Sequence, residues 1–266
     1  MMGITMGLPT GVRTLLKREI QRYVRRPTNT FMPPLITNIL YFSVFGIILG
    51  GRIDRIQGFD YIVFIIPGLV VLGTISNAFE NASFSIFHGR WNEYIHETLT
   101  SPLSYSQMVG AYVAASALRG LLVGALIAVI GVLFTVLSSD FATIGVEQPI
   151  YLLAFMLIIS VLFAAFGVIG GLLSEDFDHL TVMNQFIVRP LVFFGAVFYS
   201  LETLSPLWQT VSLLNPMVYM VDGVRFGFLG YSDVEPQVSI AVLGGLTIAV
   251  LLIDIVLFRE GYGLTD

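Results

Sequence analysis

Polar and apolar positions alternate along this chain in long blocks. Blocks of about 20 or more mostly apolar residues, the length a helix needs to cross the hydrocarbon core of a bilayer, recur between short polar stretches. Six such blocks are predicted: about 30–50, starting near Pro33-Pro34; 60–86, containing Pro67-Gly68; 105–137; 149–173, after Pro149; 181–200; and 237–258, after Pro236. The most polar interruption in the first half is Phe87 to Tyr112. Within it, 91–100 reads as a short amphipathic helix. Trp91, Tyr94, Ile95, Thr98 and Leu99 share one face at i, i+3, i+4, i+7 and i+8, and Asn92, Glu93, His96 and Glu97 fall mostly opposite. Ser101-Pro102 stops it, because the residue before a proline leaves the α region, and Ser104 can cap the next helix. The spacing fits a helix that merely joins two spans along the interface. It fits equally a rigid lever that another protein pushes.

The first polar block, 11–26, also has helical spacing. Val12, Leu15, Leu16, Ile20, Tyr23 and Val24 form an apolar stripe, with basic residues over most of the remaining face. This suits a helix lying in an anionic membrane surface, or a basic juxtamembrane segment that fixes topology. Residues 1–10 lack the pattern of a secretory signal and read as a flexible start. Residues 203–230 are too polar for a plain span and too apolar for a plain loop. Asn215-Pro216 is a helix start, Asn as cap and Pro as first helical residue, so the segment is expected to form two short helices that dip into the membrane and turn back. Such a hairpin packs on protein or a water-filled cavity, because bare backbone is not tolerated in lipid.

Composition fixes the class. Of 266 residues, 56 % are hydrophobic and 12 % charged, against about 25 % charged in an average soluble domain. The chain is therefore expected to be one all-α polytopic membrane domain covering 1–266. Its net charge is −5, yet Arg13, Lys17, Arg18, Arg22, Arg25 and Arg26 are six of its 13 basic residues and all precede the first span. That cluster places the N-terminus in the cytoplasm, and six spans return the C-terminus there. The element at 87–104 and the acidic loop Glu175, Asp176 and Asp178 are then cytoplasmic, and the loops 51–59 and 138–148 lie outside. Membrane follows the basic cluster at once, which excludes a nucleic-acid reading.

Chemistry is sparse. The chain has no cysteine and three histidines, and His88 and His96 are not at zinc-ligand spacing. A phosphate-binding loop needs a Gly before its lysine, and the only lysine, Lys17, follows Leu16. No catalytic arrangement stands out, so no enzyme activity, metal or bound cofactor is expected. Gly46/Gly50, Gly120/Gly124 and Gly167/Gly171 are small-xxx-small pairs suited to close helix contact. Glu80, Arg119 and Asp254 lie inside spans, where a charge at the centre costs about 2.5–3.5 kcal/mol on insertion scales. A Glu80–Arg119 pair, snorkelling to the interface, or a place in a translocation path would each account for them.

Short stretches in a definite order carry a family resemblance. They include Met32-Pro33-Pro34-Leu35-Ile36-Thr37, Ile66-Pro67-Gly68-Leu69, Glu97-x-Leu99-x-Ser101-Pro102 and Ala117-x-Arg119-Gly120-Leu121. Phe177-Asp178-His179, Val197-Phe198-Tyr199-Ser200-Leu201, Leu214-Asn215-Pro216-x-Val218-Tyr219-Met220 and Arg225-x-Gly227-Phe228-Leu229-Gly230 follow. In these the chain resembles the membrane subunits of ABC-2 type exporters. The resemblance implies a homodimer of six-span permease subunits in the cell membrane, docked on two copies of a separate cytoplasmic ATPase that binds the ATP and Mg. It implies that 11–26 is an interface helix. It implies that 91–100 is the coupling helix, with Trp91, Glu93, Tyr94, His96, Glu97, Leu99 and Pro102 meeting the ATPase. It implies that the hairpin with Asn215, Pro216 and Arg225 forms an outer gate. Against this stand an ion-coupled secondary transporter, which calls for several midplane charges and repeated halves, and a membrane scaffold without transport. The resemblance does not name a cargo.

Overall fold

The computed structural model describes residues 10–264 except 51, 54, 138–143, 189 and 192–193, and among these it is all helical, with no strand beyond an isolated bridge between Ile56 and Phe59. In order, the helices are α1 (Thr10–Val24), α2 (Pro27–Tyr41, continuing with π-helical backbone over Phe42–Leu49), α3 (Tyr61–Trp91) and α4 (Ile95–Leu99). Then come α5 (Tyr105–Leu137), α6 (Pro149–Leu173), α7 (Phe177–Val182, continuing π-helical over Met183–Val188), α8 (Pro206–Ser212), α9 (Pro216–Leu229) and α10 (Pro236–Glu260).

Helix α3 is the axis of the bundle. Nearly every side chain from Tyr61 to Phe79 is buried, so it is wrapped on all sides, which its mostly apolar sequence requires. The two glycine pairs explain how α5 and α6 approach it. A β-carbon at Gly120 would lie 2.8 Å from the Thr74 carbonyl oxygen, and one at Gly167 would lie 2.5 Å from the Phe79 carbonyl oxygen. One at Gly171 would meet the Ser83 carbonyl at 2.6 Å. Only a hydrogen leaves room for backbone against backbone. Helix α9 and helix α10 close the far side against α6.

Three expected bounds change. Five of the six expected spans are, among the described residues, helices long and apolar enough to cross a membrane: Pro27–Leu49, α3, α5, α6 and α10. The sixth block, 181–200, contains the π-helical run Met183–Val188 and a turn from Phe194, with 189 and 192–193 outside the described residues. The first span does not start at Pro33-Pro34. Helix α2 starts at Pro27, which sits at its first turn, and carries both prolines inside it. Span two runs to Trp91 rather than 86, about 46 Å of helix at 1.5 Å per residue, longer than the about 30 Å hydrocarbon core. The predicted helix 91–100 is broken: Trp91 ends α3, the chain turns through Asn92 to Tyr94 with Glu93 at φ 61°, and α4 covers only Ile95–Leu99. The segment 1–9, read as a flexible start, lies outside the described residues.

Candidate functional site

At the α1 end of the bundle, the end of α3 and the start of α7 form one rigid block. Arg90 Nη1 donates to the carbonyls of Gly171, Leu172 and Ser174 at 2.8, 2.8 and 2.9 Å. Those carbonyls end α6, where unpaired acceptors and the negative end of the helix dipole favour a cation. Beside it, Phe177 stands edge-on to Phe87 (centroids 4.7 Å apart) and to Trp91 (5.6 Å), and Trp91 stacks on Phe87 at 5.8 Å. Trp91 is nevertheless 59 % exposed. Helix α4 rests on this block. Ile95 and Thr98 are buried, Tyr94 and Leu99 half-buried, and Trp91, Glu93, His96, Glu97 and Pro102 face outward. The sequence therefore placed Ile95 and Thr98 on the inward face and the carboxylates outward, but grouped Trp91 with the wrong side. Ser104 and Gln107 cap α5 reciprocally: Ser104 Oγ accepts from the Gln107 amide and Gln107 Oε1 from the Ser104 amide.

Helix α1 is locked to the same block by a residue the sequence reading passed over. Glu19 is only 3 % exposed. It pairs with Arg18 (3.0 Å) and Arg22 (3.3 Å) and accepts from Ser85 Oγ at 2.5 Å. Arg18 donates to Tyr112 Oη at 3.1 Å and lies over the Tyr94 ring at 5.6 Å. Arg22 donates to the Asn81 carbonyl and to Asn81 Oδ1 at 2.9 and 3.0 Å. Three helices and the α4 turn thus share one charge network. Burial pushes the Tyr94 phenol up, so it stays neutral within it. Glu19 is the single acid among the six basic residues of 11–26, at i+4 from Leu15 and i−4 from Tyr23 on the apolar stripe. That position was the available signal.

The intramembrane charges do not all meet. Arg119 donates to Asn77 Oδ1 (3.2 Å) and Asn81 Oδ1 (3.3 Å), whereas Glu80 accepts from Asn184 Nδ2 at 2.6 Å. Both line a cavity of about 250 Å³ between α2, α3 and α5. Asp254 stands apart on α10, fully buried, with neither carboxylate oxygen hydrogen-bonded.

At the opposite end, the hairpin carries a second buried charge cluster. Asn215 Oδ1 accepts from the Met217 amide and so caps α9, and its Nδ2 donates to the Leu191 carbonyl at 2.9 Å. Arg225 is 0 % exposed. It donates to the Ala196 carbonyl at 2.6 Å, lies 4.0 Å from the Phe64 ring centroid, and sits 3.8 and 3.9 Å from Asp222 and Asp233. Asp222 accepts from the amides of Asp233 and Val234, and Asp233 accepts from Ser200, Leu201 and Tyr231. Asp222 and Asp233 were missed because only their convergence on Arg225 makes them matter.

The described residues thus form a bundle with five helices long and apolar enough to cross a membrane and charge networks at both ends, one around an exposed helix and one around a hairpin. The ABC-2 type transporter family model matches residues 10–229, and the chain belongs to that family: it is the membrane component of an ABC transporter. Among its relatives is the inner membrane transport permease YadH of Escherichia coli strain K12, 36 % identical over 253 residues, covering 95 % of this chain and 96 % of YadH. Nodulation protein J of Neorhizobium galegae is 21 % identical over 96 % of this chain and 97 % of its own. The putative transport permease ycf38 of Cyanophora paradoxa is 24 % identical over 80 % and 72 %. Members of the family are membrane subunits whose ATPase is a separate subunit.

Proposed function

We propose that this chain forms the export pathway of an ATP-driven transporter, as a homodimer of six-span subunits in the cytoplasmic membrane with two copies of a partner ATPase. The α1 end, with both termini, faces the cytoplasm, where the basic cluster of α1 belongs by charge. The ATPase binds the ATP and Mg and docks on Trp91, Glu93, Tyr94, His96, Glu97, Leu99 and Pro102. The hairpin α8–α9 closes the outer end.

The observation that carries this reading is the mounting of α4. Its outward carboxylates stand on a base clamped by Arg90 and by the Glu19 network, so a push on α4 moves α1, α3 and α6 together rather than bending a loop. A linker that only joined two spans would need none of these bonds. Purification of the tagged chain from its native membrane tests it. A stoichiometric ATPase is expected to come with the wild type and to be reduced about tenfold by Glu93→Ala with Glu97→Ala, a loss of roughly 1.4 kcal/mol of docking energy. A chain that purifies as a homo-oligomer without any ATPase would contradict it.

A further inference from the structure

Three non-glycine residues among those described hold left-handed backbone, where a side chain crowds the following carbonyl: Gln57 at φ 52°, Glu93 at φ 61° and Ala196 at φ 60°. Gln57 and Glu93 turn exposed stretches of chain, Gln57 beside Gly58 in the tight turn between Ile56 and Phe59. Ala196 is different, because it is only 1 % exposed and its carbonyl is gripped by the enclosed Arg225 at 2.6 Å. Strained backbone persists only where its surroundings over-determine it, and it collects at switches.

The segment that carries Ala196 is held down by bonds along its length. Asp233 accepts from Ser200 Oγ at 3.1 Å and from the Leu201 amide at 3.2 Å. Gln57 Nε2 donates to Glu202 Oε2 at 2.5 Å from the loop before α3. Beneath the segment lies a small apolar cluster of its own. Ala196, Leu201 and Val218 are buried together, with Tyr199, Leu204 and Val234 packed against them, apart from the main core. Val197 and Phe198 reach from the segment into that main core, Val197 over Gly68 and Phe198 against Phe45. A satellite cluster under a loop opens at lower cost than the core it sits beside.

We propose that residues 194–202 are a strap closed under strain. Arg225, Asp233 and Gln57 hold it on Val218, and the left-handed backbone of Ala196 relaxes when it lifts. The strain offsets part of what those bonds contribute, so the closed and lifted forms lie close in free energy. This deepens the exporter reading by naming the element that opens at the hairpin end, and it rests on that reading for its part in transport. The lifting itself does not.

The test uses the purified full chain in neutral detergent, without any ATPase, so that a failed docking experiment and a failed strap remain separate results. The chain has no cysteine, so one introduced thiol reports alone. Val218→Cys places it under the strap and Val71→Cys in α3, both at positions 0 % exposed. A charged thiol reagent is used at low concentration, where reclosing outruns the reaction and the rate reports the open population. The Val218 thiol is expected to react about tenfold faster than the Val71 thiol, because local opening precedes global unfolding. Leu201→Cys, on the strap itself, is a second reporter expected to follow the Val218 thiol. Ala196→Gly accepts the same backbone without strain and is expected to slow the Val218 thiol several fold. Glu202→Ala removes an exposed tether and is expected to speed it. Equal rates at 218 and 71 would mean that the strap opens only when the whole chain unfolds. Unchanged or faster labelling in Ala196→Gly would mean that closure stores no strain. Either result would overturn the proposal.

Discussion

Glu19 shares a helical face with Val12, Leu15 and Tyr23, yet it is a carboxylate among arginines, and its burial makes sense only with Arg18, Arg22 and Ser85 in place. Glu19→Ala removes one partner from each of those contacts and leaves Arg22 facing Arg119 across Asn81. Both arginines are partly solvated, which reduces the penalty, so a loss of about 1–3 kcal/mol is expected. A lower thermal midpoint of the purified chain would show it, and an unchanged midpoint would show that α1 is held by its apolar stripe alone. Arg225 is the stricter case, because it is fully enclosed with Asp222 and Asp233. Arg225→Met leaves two buried carboxylates without a counter-charge, a loss of about 3–5 kcal/mol. Replacing Arg225, Asp222 and Asp233 together is expected to recover much of it. A triple variant no more stable than the single would argue against a coupled cluster. These roles were only partly legible in the sequence. The hydropathy blocks located Glu80, Arg119 and Asp254 as charges in apolar surroundings. They could not say that Arg119 donates to Asn77 and Asn81 while Glu80 accepts from Asn184, because that depends on which faces of α3 and α5 meet.

Among the elements, α3 sets the geometry, and the glycine pairs of α5 and α6 set how closely it is wrapped. Gly167→Ala places a methyl against the Phe79 carbonyl and is expected to cost about 1–3 kcal/mol as overpacking. Gly244→Ala and Gly245→Ala on α10 meet nothing within 4 Å and are expected to leave stability unchanged. Thermal unfolding of the three variants in one detergent checks the contrast; equal losses would mean that glycine is needed for backbone freedom and not for approach. Span positions were legible because about 20 apolar residues leave little choice. The extent of α4 was not. Helical spacing runs unbroken from Trp91 to Thr100, but the aromatic contacts of Trp91 with Phe87 and Phe177 hold it on α3, and the chain must turn at Glu93 to seat Ile95. The prolines at 33 and 34 misled for a related reason. A helix interior rejects proline by about 3 kcal/mol in isolation, and here α2 carries two of them beside a polar cavity.

For the whole molecule, the two ends are tied differently to the same axis. One end joins α1, α3, α5 and the α4 turn through Glu19 and joins α3 to α6 through Arg90. The other joins α9 to the 196–201 segment and to α3 through Arg225. In the proposed coupling, motion delivered at α4 would pass to the hairpin through the buried helix α3. The most direct measurement of that role exploits the absence of cysteine from the chain. A single cysteine in place of Glu97 gives a unique thiol on the outward face of α4, and one in place of Glu202 gives a unique thiol at the opposite end. With a short thiol-to-lysine cross-linker in native membranes, the Glu97→Cys chain is expected to join an ATPase subunit and the Glu202→Cys chain is not. Cross-linking of neither to any ATPase, or of both equally, would contradict α4 as the place where ATP hydrolysis enters this protein.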